Sequence, residues 1–317
     1  MNAVPHTYKW ILLVWSLTIS QFIMAQDITQ KYNVIDYCEF QKRQQTFISA
    51  DGDMKYIDAG TSDKVVLLLH GVPTSGWLYR KIIDSLVDGG LRVIIPDMLG
   101  FGSSAAPKGY DIYSPKAHAA RLLALMDTLA IDTWSHVCHD YGGMVTWELL
   151  RQESSRVSEL VLLNTIIYED GFNPPVRFRR GPIAHIAMSL YRSRLTNKMM
   201  LKQLFKMTLY DTELNKTEFK GYQRPLLNGK TRAMYTFFTS MRKDLPDYAT
   251  VMKSLNIQVH VVWGKYDEVL VWDSQSAAVI ADLKIQPENI HIVEASHFVQ
   301  EETPVTICDA VLGIMQR

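Results

Sequence analysis

The chain is short of cysteine, of net charge and of long apolar runs, and each shortage removes a class of protein. Cys38, Cys138 and Cys308 are the only cysteines in 317 residues. An odd, sparse set is no disulfide framework and leaves at least one thiol outside any bridge. Cys138 sits in an apolar strand pattern and reads as a small core residue. Lys+Arg and Asp+Glu both number 33, which gives no reason to expect a nucleic-acid partner. There is no internal repeat, no low-complexity tract, and no CxxC or HExxH spacing of the kind that holds a metal. Neither a metal nor an organic cofactor is called for. What is present is an ordinary globular balance, 47% apolar and 21% charged, long enough for one large core with an inserted subdomain.

The first 25 residues stand apart. Lys9 precedes an apolar run from Trp10 to Ala25, which ends in a small residue before Gln26-Asp27. This is the order of a secretory signal. Ser16, Thr18, Ser20 and Gln21 interrupt the run, and it falls short of the roughly 20 residues that span a bilayer. Ile23 is a poor residue three before the cleavage point, so an uncleaved N-terminal anchor is the competing expectation. Either way the remaining chain is expected to be exported, periplasmic or secreted.

After that segment, strand and helix patterns alternate. Gln44–Ala50 and Met54–Gly60 flank Asp51-Gly52-Asp53, a hairpin signal. Val65–Leu69 is a continuous apolar run, as in a strand covered on both faces. Trp77–Val87 has helical spacing and stops at Gly89-Gly90, and Arg92–Pro96 is a strand. A helix is expected over Pro115–Leu129 with Ser114 as N-cap. Trp134–Cys138 reads as a strand, Met144–Glu153 as a helix and Leu160–Leu163 as a strand. The alternation breaks between about 166 and 248, a helical stretch rich in aromatics and Met. It resumes with Val259–Trp263, a helix near Ser274–Leu283, the strand Ile290–Val293 and a helix over Val305–Gln316. The pattern predicts an α/β fold: a mostly parallel sheet with helices on both faces, its core divided into 26–165 and 249–317 around a helical cap at 166–248. That insertion would lie over the strand ends, where open α/β sheets bind ligands.

Four strand ends carry candidate chemistry. Cys138-His139-Asp140-Tyr141-Gly142-Gly143 joins a strand to a helix through small residues, the build of a tight turn with a reactive side chain at its tip. Asp140 takes the position of a nucleophile. A helix N-cap is the competing role, and two glycines where a helix prefers Ala favour the nucleophile. His70-Gly71-Val72-Pro73 follows another buried strand. The backbone N–H groups of Val72 and Tyr141 can face developing negative charge, though such a segment also suits a simple tight turn. Asp267 and His297 each follow one of the last two strands, so they are expected to be neighbours, with Asp267 orienting His297. The chain order nucleophile, acid, base is the order this kind of sheet uses.

From about Gln44 onward the chain resembles the Asp-nucleophile branch of the α/β-hydrolases, the haloalkane dehalogenases and epoxide hydrolases. The residues that carry the likeness are His70-Gly71-Val72-Pro73-Thr74-Ser75, Pro96-Asp97-Met98-Leu99-Gly100-Phe101-Gly102-Ser103-Ser104, His139-Asp140-Tyr141-Gly142-Gly143 and His297-Phe298-Val299-Gln300-Glu301-Glu302. The resemblance implies attack by Asp140 on an sp³ carbon of a small apolar substrate, then hydrolysis of the ester by water that His297 activates. Asn164 ends the strand where some dehalogenases place their acid as Glu, which leaves Asp267 as the partner of His297.

The leaving group is less legible. Dehalogenases of the family hold the halide with a Trp after the nucleophile and an Asn in the His-Gly turn or a second Trp in the cap. Tyr141 and Val72 stand at the two readable places. Epoxide hydrolases of the family use two cap tyrosines as acids. Candidates are Tyr191, Tyr210, Tyr222 and Tyr235, with Tyr235 and Tyr191 preferred; packing tyrosines with a wet hydroxyl are the competing reading. An epoxide-hydrolase-like activity is expected first and a haloalkane dehalogenase second. An esterase or lactonase, or a binding protein on a retired scaffold, is further off. Arg177, Arg179, Arg180, Arg192, Arg194, Lys198, Lys202 and Lys206 follow one another with no acid until Asp211. A solvated face explains this run, and association with an anionic membrane surface through the basic cap and the N-terminus is the sharper expectation.

Overall fold

The computed structural model describes residues 35–240 and 245–315, so the signal or anchor expected at 1–25 lies outside the described residues. All five side chains of the strand Val65–Leu69 are buried. Only a strand flanked by others and covered on both faces can hide such a run. In chain order the strands are β1 (Gln44–Ser49), β2 (Gly52–Ala59), β3 (Val65–Leu69), β4 (Arg92–Pro96), β5 (Trp134–Asp140), β6 (Val157–Thr165), β7 (Gln258–Gly264) and β8 (Ile290–Val293). They form one sheet in the order β1-β2-β4-β3-β5-β6-β7-β8. β1 pairs antiparallel with β2, and β2 with β4; all later pairs are parallel.

The first hairpin turns slightly earlier than its Asp-Gly-Asp signal suggests. Ser49 pairs with Gly52, so Ala50 and Asp51 make the turn. Gly52 opens β2 at φ +139°, a backbone shape that suits only glycine.

The helices that flank the sheet are α1 (Tyr37–Lys42), α2 (Ile83–Asp88), α3 (Pro115–Thr128) and α4 (Tyr141–Glu153). Ser114 caps α3, accepting from Ala117 N–H at 3.3 Å. The expected helix from Trp77 is broken: a 3₁₀ turn at Gly76–Tyr79 precedes α2. Trp77, Leu78, Tyr79 and Arg80 are all buried, so tertiary contacts and not the helical period set their path.

The first four α-helices after β6 are α5 (Pro182–Arg192), α6 (Asn197–Thr208), α7 (Lys216–Leu227) and α8 (Arg232–Ser240). Then come α9 (Ala249–Ser254), α10 (Ser276–Leu283), α11 (Val299–Glu302) and α12 (Pro304–Met315). α7 begins with a capping box, Asn215 and Glu218 satisfying each other's backbone N–H groups. It rests on Trp77, whose indole N–H donates to the Glu218 carbonyl at 3.1 Å. A Cβ at Gly221 would stand 2.2 Å from that indole, so only glycine lets the helix approach. α8 brings Phe237 edge-on to Tyr141, ring centroids 5.0 Å apart, directly beside the carboxyl end of β5.

Candidate active site

Asp140 ends β5 at φ +51°, ψ −122°, a conformation that costs an L-residue energy and recurs where a side chain must be thrust from a turn. Close packing enforces it. A Cβ at Gly142 would meet the carbonyls of His70 and Leu69 at 2.8 and 2.9 Å, and one at Gly143 would overlap Thr165. The Asp140 side chain makes no capping hydrogen bond to the second or third N–H of α4, so it does not fill the capping role. Its Oδ1 instead accepts from Val72 N–H at 2.7 Å, and the Tyr141 N–H also supports the carboxylate. A Cβ at Gly71 would lie 2.4 Å from that carboxylate, so the His-Gly turn is glycine for proximity to Asp140.

His70 holds the turn in place. Its Nε2 accepts from Met98 N–H at 3.0 Å, so the proton is on Nδ1, which donates to the Gly71 carbonyl at 2.8 Å. Burial pushes its pKa down to about 4, so it stays neutral. Asp97 fixes the neighbouring loop by accepting from the N–H groups of Gly76 and Ser103 at 2.8 and 2.7 Å.

Across from Asp140 stands His297. Its Nε2 is 3.8 Å from Asp140 Oδ2, too long for a direct hydrogen bond. Its Nδ1 lies 2.8 Å from Asp267 Oδ2 and donates to it. Asp267 is saturated: Oδ1 accepts from Val269 and Leu270 N–H at 2.8 and 2.9 Å, and Oδ2 also accepts from Asn164 Nδ2 at 2.7 Å. Burial alone would lower the His297 pKa, but the Asp267 charge and hydrogen bond, with the Asp140 charge behind them, raise it above the ordinary imidazole value. Asp267 is held below the usual carboxylate range against its burial, by His297 and its other donors. For Asp140 burial wins, and its pKa is raised despite His297 and the two N–H groups.

Two supports of this arrangement escaped the sequence reading. Asn164, noted there as a missing acid, accepts from Gly264 N–H at 2.9 Å while donating to Asp267. Its φ of +34° marks a residue bent for that purpose, a signal invisible in the sequence. His139 has Nε2 2.9 Å from the His297 carbonyl, so Nε2 carries the proton there and braces the loop. We predict that Asn164→Ala lowers kcat on the order of ten- to a hundred-fold, because the carboxylate that aims His297 loses its brace. Steady-state kinetics on protein with unchanged circular dichroism checks it.

The structure thus brings together Asp140, His297, Asp267 and the N–H groups of Val72 and Tyr141. The tyrosine candidates fare differently. Tyr235 Oη accepts from Gly181 N–H at 3.2 Å, and its ring stacks on His185 with centroids 4.3 Å apart. At 3.6 residues per turn it points about 160° away from Phe237, the α8 residue that touches Tyr141. Tyr191 is half-buried on α5 and its pKa is raised by that burial. Tyr222 is tied into an ion cluster with Glu301 and Arg80, and Tyr210 stacks on Tyr266 at the surface. The Tyr141 hydroxyl donates to the Tyr113 carbonyl at 2.8 Å, so it is committed within the core. Among the described residues no group of three or more His, Cys, Asp and Glu is disposed to hold a metal ion.

The family model described as the alpha/beta hydrolase fold matches residues 64–304. The chain belongs to this family. Its relatives include haloalkane dehalogenases. A haloalkane dehalogenase of Mycolicibacterium paratuberculosis is 33% identical over 130 residues, 41% of this chain and 41% of that relative. That match spans about two fifths of the relative's length. Haloalkane dehalogenase 2 of Mycobacterium bovis is 25% identical over 280 residues, 84% of this chain and 92% of that one. Among solved structures, an epoxide hydrolase from Vigna radiata superimposes with a TM-score of 0.65 at 18% identity, covering 86% of this chain and 97% of its own, a likeness of fold.

Proposed function

We propose that this α/β-hydrolase opens a small apolar substrate at an sp³ carbon through a covalent ester on Asp140, with epoxides as the favoured class. One observation carries the reading: a carboxylate on a strained turn has one oxygen held by backbone N–H groups and the other facing, but not bonded to, a histidine that a second carboxylate orients. A carboxylate attacks carbon without first losing a proton. In the first step Asp140 Oδ2 forms a bond to the carbon, the ring C–O bond breaks, and the departing oxygen takes a proton from an acid, for which half-buried Tyr191 is our candidate. In the second, water in the gap beside His297 gives its proton to Nε2 as its oxygen bonds to Asp140 Cγ. The charge gathering on Oδ1 meets the N–H groups of Val72 and Tyr141. The Cγ–O bond then breaks, the alcohol leaves with the proton from His297, and the proton left on the Asp140 carboxyl passes through solvent to the Tyr191 phenolate, which restores both groups.

Esterification itself prepares the base. It removes the Asp140 charge, one of the causes of the raised His297 pKa, and so leaves the imidazole readier to stay neutral. Epoxides are favoured over haloalkanes because Val72 offers no side-chain donor and the Tyr141 hydroxyl is already committed to Tyr113, which leaves a departing halide without the cradle it needs. The dehalogenase reading stands second, supported by the names of the curated relatives. Purified protein assayed on an epoxide panel and a haloalkane panel decides between them: diol formation lost on Tyr191→Phe supports the first, and halide release overturns it.

Asp267→Asn is expected to cut kcat by roughly 10³- to 10⁴-fold. It should also move the acid limb of the residual kcat/KM profile to lower pH, because the charge that raises the His297 pKa is gone. An acid limb that stays in place would remove Asp267 as the cause. Residues 1–25 carry the proposal of export, and fractionation of the producing cells tests it.

A further inference from the structure

Between Gly171 and Tyr210 the chain has eight Lys or Arg and no acid. The same stretch holds seven of the ten large apolar side chains that stand exposed among the described residues, with Leu195 at 92%, Ile183 at 73%, and Ile186 and Met199 at 61%. A face built only for water would carry polar side chains at such positions; an exposed patch that mixes aliphatic groups with one sign of charge marks a partner. Elsewhere on the molecule Arg92, Arg156 and Lys265 each face a carboxylate. Arg192, Arg194, Lys198, Lys202 and Lys206 meet none among the described residues, so their charge is available outward.

The geometry is that of an interfacial helix. Lys198, Lys202 and Lys206 recur every fourth residue along α6, and Leu195, Met199 and Gln203 share one shallow depression with them. The adjoining face of α6, with Leu201 and Phe205, packs inward. Beside the depression, Lys202 and Lys206 also line a groove with Phe205, Leu209, Leu214 and Phe219, in which Glu213 is the one acid. Cations above an apolar floor match an anionic headgroup joined to an acyl chain. Nucleic acid would satisfy the lysines and leave the outward Ile, Leu and Met side chains without a partner; a lipid surface satisfies both.

We propose that the outer face of α5 and α6 docks the protein on an anionic lipid bilayer, the aliphatic side chains entering the headgroup boundary and the α6 lysines contacting lipid phosphates. The reading is independent of the leaving group, and a docked cap would take an apolar substrate from the bilayer where it concentrates.

The test is co-sedimentation of the full chain with vesicles of equimolar phosphatidylglycerol and phosphatidylcholine, against vesicles of phosphatidylcholine alone. Binding is expected only to the anionic vesicles and should weaken with salt. The triple variant K198E/K202E/K206E is expected to bind on the order of 100-fold more weakly. Leu195→Ser with Met199→Ser should weaken binding at unchanged charge. Both variants should turn over a water-soluble substrate as the parent does, which separates loss of docking from loss of fold. Equal binding to neutral vesicles, or anionic binding untouched by the triple reversal, would overturn the proposal and move any membrane contact to the N-terminal segment. So would binding of all three proteins to single-stranded DNA in preference to vesicles.

Discussion

His297→Gln protein incubated with a reactive epoxide is expected to gain the mass of one substrate at Asp140 and then stop. Alkylation needs the carboxylate and its two N–H donors, none of which the substitution touches. Hydrolysis of the ester needs a base at His297 Nε2, which glutamine cannot supply. Turnover should fall by roughly 10⁴-fold or more while the first step persists, since residues that act in one step of a cycle lose that step alone. Peptide mapping by mass spectrometry locates the adduct, and parent protein under the same conditions should show none at completion. Asp140→Asn supplies the complement: no adduct and no turnover, because an amide is a poor nucleophile at saturated carbon. Ester hydrolysis that survives Asp140→Asn, with no adduct in His297→Gln, would replace the covalent route with one in which His297 activates water directly on the substrate.

The parts of this site that the sequence announces are those with a local cause. Asp140 is visible because Gly142 and Gly143 must be small for a turn that packs against Leu69, His70 and Thr165. Asp267 and His297 are visible because each follows an apolar strand, and parallel strands that adjoin put their ends together. The buried strands β3 and β6 declare themselves by five and four apolar residues in a row, the pattern of a strand covered on both faces. What stayed hidden has long-range causes. Asn164 supports Asp267 from 103 residues away, and no periodicity records that bond. The path of Trp77–Arg80 is set by tertiary contacts such as α7 resting on Trp77, and the helical spacing there is real but overruled. Tyr235 illustrates the limit from the other side. The resemblance makes it a candidate acid, whereas its place on α8 turns the hydroxyl toward Gly181.

Glu301→Gln is expected to cost about 3–5 kcal/mol of stability, the loss that follows when a buried ion cluster is broken from one side. Arg80 is buried and its guanidinium meets Glu301 twice, at 2.5 and 2.8 Å, and Glu218 at 2.9 Å. Lys81 reaches the same two carboxylates at 2.8 and 3.2 Å, and the Tyr222 hydroxyl donates to Glu301. Glu218 and Tyr222 belong to α7, and Glu301 lies four residues past His297 in α11, so the cluster fastens α7 to the segment that carries His297. Neighbouring Glu302 completes the link by accepting from Ser296 N–H at 2.7 Å and from Tyr210 N–H at 2.7 Å. Removing the Glu301 charge leaves two cations on one carboxylate, with the Arg80 guanidinium out of reach of solvent. The pH dependence has a definite sign. Burial would raise the Glu301 pKa, but Arg80 and Lys81 hold it at about 2 against an ordinary 4.5, so its contribution is present above 4.5 and is lost as pH falls toward 2. Urea titrations should therefore show the gap between parent and variant widest at neutral pH and closing in acid. At neutral pH the variant's residual kcat should fall as well, since the loop that carries His297 loses its tie to the cap. A stability loss under about 1 kcal/mol would mean the cluster behaves as a surface pair does, and that the cap is held by Trp77 and Gly221 instead.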